Sequence, residues 1–97
     1  MQNMQAMFKQ AQAMQKDMLK SKSEIENTEF TGQSSMVTVT MMGDKSLSSI
    51  KIDADSLDKD DIEALQDMIV VAVGQANKKI DEAYEQKLGK YNIPGLF

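Results

Sequence analysis

Between residues 3 and 26 apolar side chains recur at alternating steps of three and four. They are Met4, Met7, Ala11, Met14, Met18 and, after Ser21 fills one step, Ile25. No glycine or proline interrupts the run. Heptad spacing held for three repeats prescribes one long helix with one apolar seam. At 1.5 Å per residue that helix is about 36 Å long. The constraint is severe because the chain has only 97 residues and reads as one domain. A domain of this size buries roughly 60–65% of the surface its unfolded chain exposes. Its core is thin, and self-association is expected.

The remaining chain supplies little to cover such a seam. In "MVTVTM", Val37, Val39 and Met41 alternate with Met36, Thr38 and Thr40, the pattern of a half-buried strand. "MGDKS" carries Gly43-Asp44, a hairpin turn signal. A following strand "LSSIKID" sets Ile50 and Ile52 on one face, and a first strand around Thr28–Gln33, ending near Gly32, completes a three-stranded meander. "SLDKDDIEAL" then reads as a helix start, with Asp58 as N-cap and Asp60, Asp61 and Glu63 favoured by the helix dipole. The second helix places Ile62, Leu65, Ile69, Ala72, Val73, Ala76, Ile80 and Ala83 on one stripe, and Gly89 stops it. In the tail "YNIPGLF", Pro94-Gly95 makes a turn. There is no internal repeat and no linker of low complexity. The order is helix, three strands, helix. Such a sheet cannot cover two long amphipathic helices, so one helix projects or packs on another subunit.

Composition removes most catalytic chemistry. There is no Cys and no His, so disulfides and thiolate metal sites are excluded and no His or Cys is available for a nucleophile–base pair. "GDKS" lacks the glycine spacing of a phosphate-binding loop. The acidic run from Asp53 invites a calcium loop, which needs an acid or amide at Leu57, Gly at Asp58 and Glu at Ala64. All three fail, so the acids are those of a solvated helix start. The reading is of a non-enzyme with no metal, no cofactor and no small-molecule substrate. The longest apolar run, "MIVVAV", is too short to cross a bilayer, and no secretory signal opens the chain. A soluble intracellular protein is expected.

Arg is absent too, so all eleven cationic side chains are Lys. The formal net charge is -4, unevenly spread. Residues 1–22 hold Lys9, Lys16, Lys20 and Lys22 against Asp17, a balance of +3 (4 minus 1). Residues 53–67 hold seven acids against Lys59, a balance of -6 (1 minus 7). At about 100° per residue, Gln5, Lys9, Gln12, Lys16 and Lys20 share an arc of roughly 80°, opposite the methionine seam. An ordinary wet helix face has this look. So does a surface that follows phosphates, for which Lys suits as a point charge whereas Arg serves bidentate guanine recognition. The methionine stripe reads first as a core or dimer seam. A protein-binding groove comes second, since Met adapts to varied partners, and a membrane-surface helix last.

Several segments together carry a resemblance. "KQAQAMQKDM" resembles the signature helix of the YbaB/EbfC family of bacterial nucleoid-associated proteins. "TGQSSMVTVTMMGD" is similar to that family's strand-Gly-strand-Gly stretch, and "IKID" to its third strand. "LDKDDIEALQDMIVVAVGQANKKIDE" resembles its long second helix with acidic start, and "IPGLF" its closing segment. The likeness covers nearly the whole chain. Ser34-Ser35, Gly74 and the missing Arg depart from the family pattern. The resemblance implies an α+β fold and a homodimer joined through its sheets, with helices projecting as arms. It also implies double-stranded DNA as partner, a place in the cytoplasm on the nucleoid, and no membrane. DNA contacts carry over to Lys9, Gln12, Lys16 and Lys20 on the first helix. Lys78, Lys79, Lys87 and Lys90 are further candidates on the C-terminal part. A rival reading is a protein-interaction adaptor that grips partners with Met-rich arms.

Overall fold

The computed structural model describes residues 2–91, with side chains for 3–90. Helix α1 spans Gln2–Glu26, strand β1 Glu29–Ser34, β2 Val37–Met42, β3 Leu47–Ile52 and helix α2 Ile62–Leu88. Short 3-10 turns at Lys59–Asp61 and Gly89–Tyr91 flank α2. The expected order of helix, three strands, helix is the observed one. The turn expected at Pro94-Gly95 lies outside the described residues.

The strands pair antiparallel in the order β1-β2-β3. Register sets Gly32 opposite Val39, and Val39 opposite Ile50. Because side chains alternate across a sheet, Phe30, Gly32, Val37, Val39, Met41, Ile50 and Ile52 share one face. Val37 and Val39 are wholly buried there, and Met41 nearly so. Helix α2 covers them with Ala72, Ala76 and Ile80, helped by Leu65, Ile69 and Val73. That is the stripe read from the sequence, except that Ile62 stays exposed and Ala83 packs on a second cluster. Helix α2 lies over β1 and β2. Every residue of β3 remains exposed.

Two glycines take roles other than those expected. Gly32 does not end β1 but sits inside it. A Cβ there would run into the backbone carbonyl of Ala72 and lie 2.9 Å from the Ala76 nitrogen. With Ala72 and Ala76 above it, this is where helix and strand backbones touch. Gly43 does sit in the β2–β3 hairpin, but the left-handed residue of that turn is Lys45, at φ 71°. Gly43 is needed because a Cβ would collide with the Ile25 carbonyl at the end of α1. Its N–H donates to the Thr28 carbonyl at 3.0 Å, which ties the turn to the α1–β1 corner. The β1–β2 turn places Ser35 in the left-handed region, at φ 52°. Gly89 closes α2 in a right-handed conformation, at φ -58°, and the chain runs on into the 3-10 turn. Asp58 precedes the 3-10 turn before α2, and its N–H donates to the Asp61 carboxylate at 3.0 Å.

The seam of α1 divides at Met18. Met18 and Ile25 are buried with Leu88, against Phe30, Ala83 and Tyr84. Residues 3–17 are all exposed, so Met4, Met7 and Met14 have no cover. Of the two readings of the methionine stripe, core or dimer seam, the core accounts for Met18 alone among these methionines within one protomer. The reason is geometric: α1 meets only the last turns of α2 and then leaves the body. Extents of 73 × 19 × 15 Å follow from that projection.

Replacing Gly32 by Ala should cost about 3 kcal/mol or more, since neither backbone can yield. Replacing Gly74 by Ala should instead add up to about 1 kcal/mol, because its Cβ meets nothing within 4 Å on an exposed helical site. Urea midpoints of the two variants measure both effects.

Candidate nucleic-acid interface

Lys9, Gln12, Lys16 and Lys20 are all exposed on α1. Lys9, Gln12 and Lys16 belong to the projecting part, and Lys20 stands just beyond the first buried seam residue, Met18. Among the described residues none of these four side chains takes part in an ion pair or hydrogen bond. The charges of Lys9, Lys16 and Lys20 therefore face water with no carboxylate in ion-pair contact. Lys22, one turn further on, is half-buried and lines a groove instead.

The four lysines expected on the C-terminal part do not form one surface. Lys79 donates through Nζ to the Thr31 carbonyl at 2.7 Å. Four residues earlier on α2, the Gln75 side-chain oxygen accepts from the Gln33 N–H at 3.1 Å. These are backbone groups of β1, so α2 closes that edge of the sheet. Lys87 lies 3.6 Å from Glu24 of α1, an exposed pair that contributes little stability but offsets its charge. Lys78 is exposed on α2, and Lys90 is exposed in the turn after it.

One hollow went unread in the sequence. It has a volume of about 560 Å3 and lies among α1, the β2–β3 hairpin and the end of α2. Glu26, Asp44, Asp81 and Glu85 outnumber Lys22 and Lys45 around it. Lys45 is held by Asp81 at 2.9 Å. Tyr84 donates its hydroxyl to the Gly43 carbonyl at 3.1 Å. Burial pushes the Tyr84 pKa up, with nearby Glu26 adding to it. The Ser46 hydroxyl and then its N–H donate to Asp44 and hold that carboxyl below its usual range. The hollow is net negative and does not suit a phosphate. Its members come from three elements far apart in the chain, so no local motif announces it.

The charge asymmetry of the sequence becomes a spatial one. Helix α1 packs against the C-terminal turns of α2 through Met18, Ile25 and Leu88. The lysine-bearing tip of α1 therefore points away along the long axis. The acid-rich start of α2 and residues 53–61, all exposed, lie toward the other end. Among the described residues no three acidic side chains are grouped to hold a metal, and no helix is long and apolar enough to cross a membrane.

Comparison with known proteins shows the family. The YbaB/EbfC DNA-binding family model matches residues 1–96. A nucleoid-associated protein of Streptococcus suis (strain 05ZYH33) is 50% identical over 93 residues, covering 94% of each chain. One of Lactococcus lactis subsp. cremoris (strain MG1363) shows the same identity and coverage. One of Ligilactobacillus salivarius (strain UCC118) is 42% identical over 98 residues, covering 97% of this chain and 94% of its own. The chain therefore belongs to the YbaB/EbfC DNA-binding family.

Proposed function

We propose that the chain acts on the nucleoid, in the cytoplasm, as a two-fold dimer that holds duplex DNA through lysine–phosphate contacts from its α1 arms. The family is one of DNA-binding proteins and not of enzymes. The observation that carries the proposal is the exposed stripe of Lys9, Gln12, Lys16 and Lys20 on a helix that leaves the body. None of those lysines is held in an ion pair, and the densest acidic run, residues 53–67 with seven acids, lies toward the far end. Lysines without arginine suit backbone contact more than base reading. Affinity then comes from counterions released as each phosphate is neutralised.

The dimer is argued from the sheet. The β1 edge is closed by Gln75 and Lys79, whereas β3 is an open edge. Leu47, Ile50 and Ile52 stand exposed on β3 beside the core face, beyond the reach of α2. An exposed edge strand with apolar side chains invites pairing, and a second copy offers the same surface in return. The two sheets then join at β3, and the α1 arms project from the joined body.

A titration of random-sequence duplex by fluorescence anisotropy, at two salt concentrations, tests the DNA contact. With Lys9, Lys16 and Lys20 from both arms engaged, log affinity should fall with log salt at a slope of about -5. Replacing Lys16 and Lys20 by Glu should weaken every duplex alike and flatten the slope by roughly 4, one per lysine in the dimer. Unchanged affinity in that variant removes α1 from the interface. Absence of binding even at low salt promotes the Met-rich adaptor, to which the bare Met4, Met7 and Met14 lend support. For the dimer, at a low protein concentration where the wild-type chain is dimeric, Ile50→Lys should lower the mass measured by light scattering to that of a protomer, with the helical circular dichroism kept. A variant that stays dimeric places the sheet interface elsewhere.

A further inference from the structure

The exposed half of the α1 seam is a surface that neither the core nor the lysine stripe uses. Met4, Met7, Ala11 and Met14 lie along it with no cover, and Phe8 is exposed on its flank. The same seam is already an interface further along, where Met18 and Ile25 pack on Leu88 of α2. An apolar stripe of this length on an otherwise solvated arm is the mark of a partner helix.

The side chains beside the stripe indicate what that partner is. Placing Met4 and Ala11 at heptad a, and Met7 and Met14 at d, puts Phe8 and Gln15 at e and Asn3 and Gln10 at g. No charge flanks the exposed stripe before Asp17. Lys9 and Lys16 fall at f, the position furthest from the seam. An identical helix therefore meets no like charge. Two approach directions exist, and the structure separates them. A parallel partner would carry its own Met18 and Ile25 level with this chain's, where α2 already sits on both. An antiparallel partner stops short of that point. Its Met14 lies on Met4, its Ala11 on Met7, and the reverse.

We infer that the α1 arm pairs antiparallel, through Met4, Met7, Ala11 and Met14, with the arm of a second copy of this chain. This goes beyond DNA contact and beyond the sheet dimer. A chain with two separate self-complementary surfaces, one on β3 and one on the arm, builds an open row and not a closed dimer. Paired arms also carry Lys9 and Lys16 of both copies on opposite outer sides, so one joint can hold two duplexes.

The inference is tested without DNA. Sedimentation velocity across a wide range of concentrations should show the wild-type chain passing from dimer to tetramer and larger species. Met7→Glu together with Met14→Glu should stop at the dimer. Both methionines are exposed and away from the core, so the fold is kept, as circular dichroism can verify. In the Ile50→Lys background a dimer should persist at high concentration and dissociate when the two methionine changes are added. As an independent measure, the cysteine-free chain allows single thiols to be placed. A short bismaleimide should join copies of Gln10→Cys far more readily than copies of Lys9→Cys. A wild-type mass that stays constant overturns the inference. So does a Met7→Glu, Met14→Glu chain that falls to monomer, because the seam then packs on the sheet partner's body. Equal cross-linking of the two cysteine variants also overturns it. Because all of these readouts are made without DNA, they are independent of whether α1 binds a duplex.

Discussion

Backbone contact at two glycines governs the rest of the structure. At Gly32 the backbone of α2 rests on β1, and at Gly43 the end of α1 rests on the β2–β3 hairpin. Neither contact leaves room for a Cβ. Close-packed interiors tolerate so little misfit that these points act as fixed pivots. The first sets α2 over β1 and β2 and leaves β3 bare. The second sets the angle at which α1 departs from the sheet. Both the open edge and the projecting arm are thus results of where two helices are allowed to touch.

From those pivots the electrostatics follow. Helix α1 meets only the C-terminal turns of α2, so the basic arm and the acid-rich start of α2 point toward opposite ends of an elongated molecule. A net charge of -4 is then no obstacle to a polyanion, because steering depends on the local field presented and not on the total. Salt at physiological strength screens charges beyond about 8 Å, far less than the length of the molecule. The acids at the far end therefore have little influence at the lysine stripe.

Much of the fold was legible. Periodicity placed both helices, the three strands and the α2 stripe of Ala72, Ala76 and Ile80 on their observed faces. Errors arose where tertiary contact overrides a local rule. Gly32 read as a strand end because glycine weakens strands, yet it is retained because a helix backbone lies on it. Gly43 read as a conformational glycine, while Lys45 takes the left-handed geometry. The seam read as core or dimer contact with no boundary between the two, since heptad spacing says that a face is apolar but not how far its cover extends. The exposure of the candidate lysines on α1 needed only the helical projection. Lys79 could not be separated from Lys78 in sequence, because its partner Thr31 is 48 positions away.

The sequence by itself determined the element order, the family, the absence of Cys and His chemistry, and the opposition of a lysine stripe to a methionine stripe. These depend on residue identity and local period, which need no long-range information. Tertiary structure alone decided which half of the methionine seam is covered, which sheet edge stays open, and which lysines already hold a partner. Each of those turns on the distance between residues remote in the chain, set by backbone contact at Gly32 and Gly43.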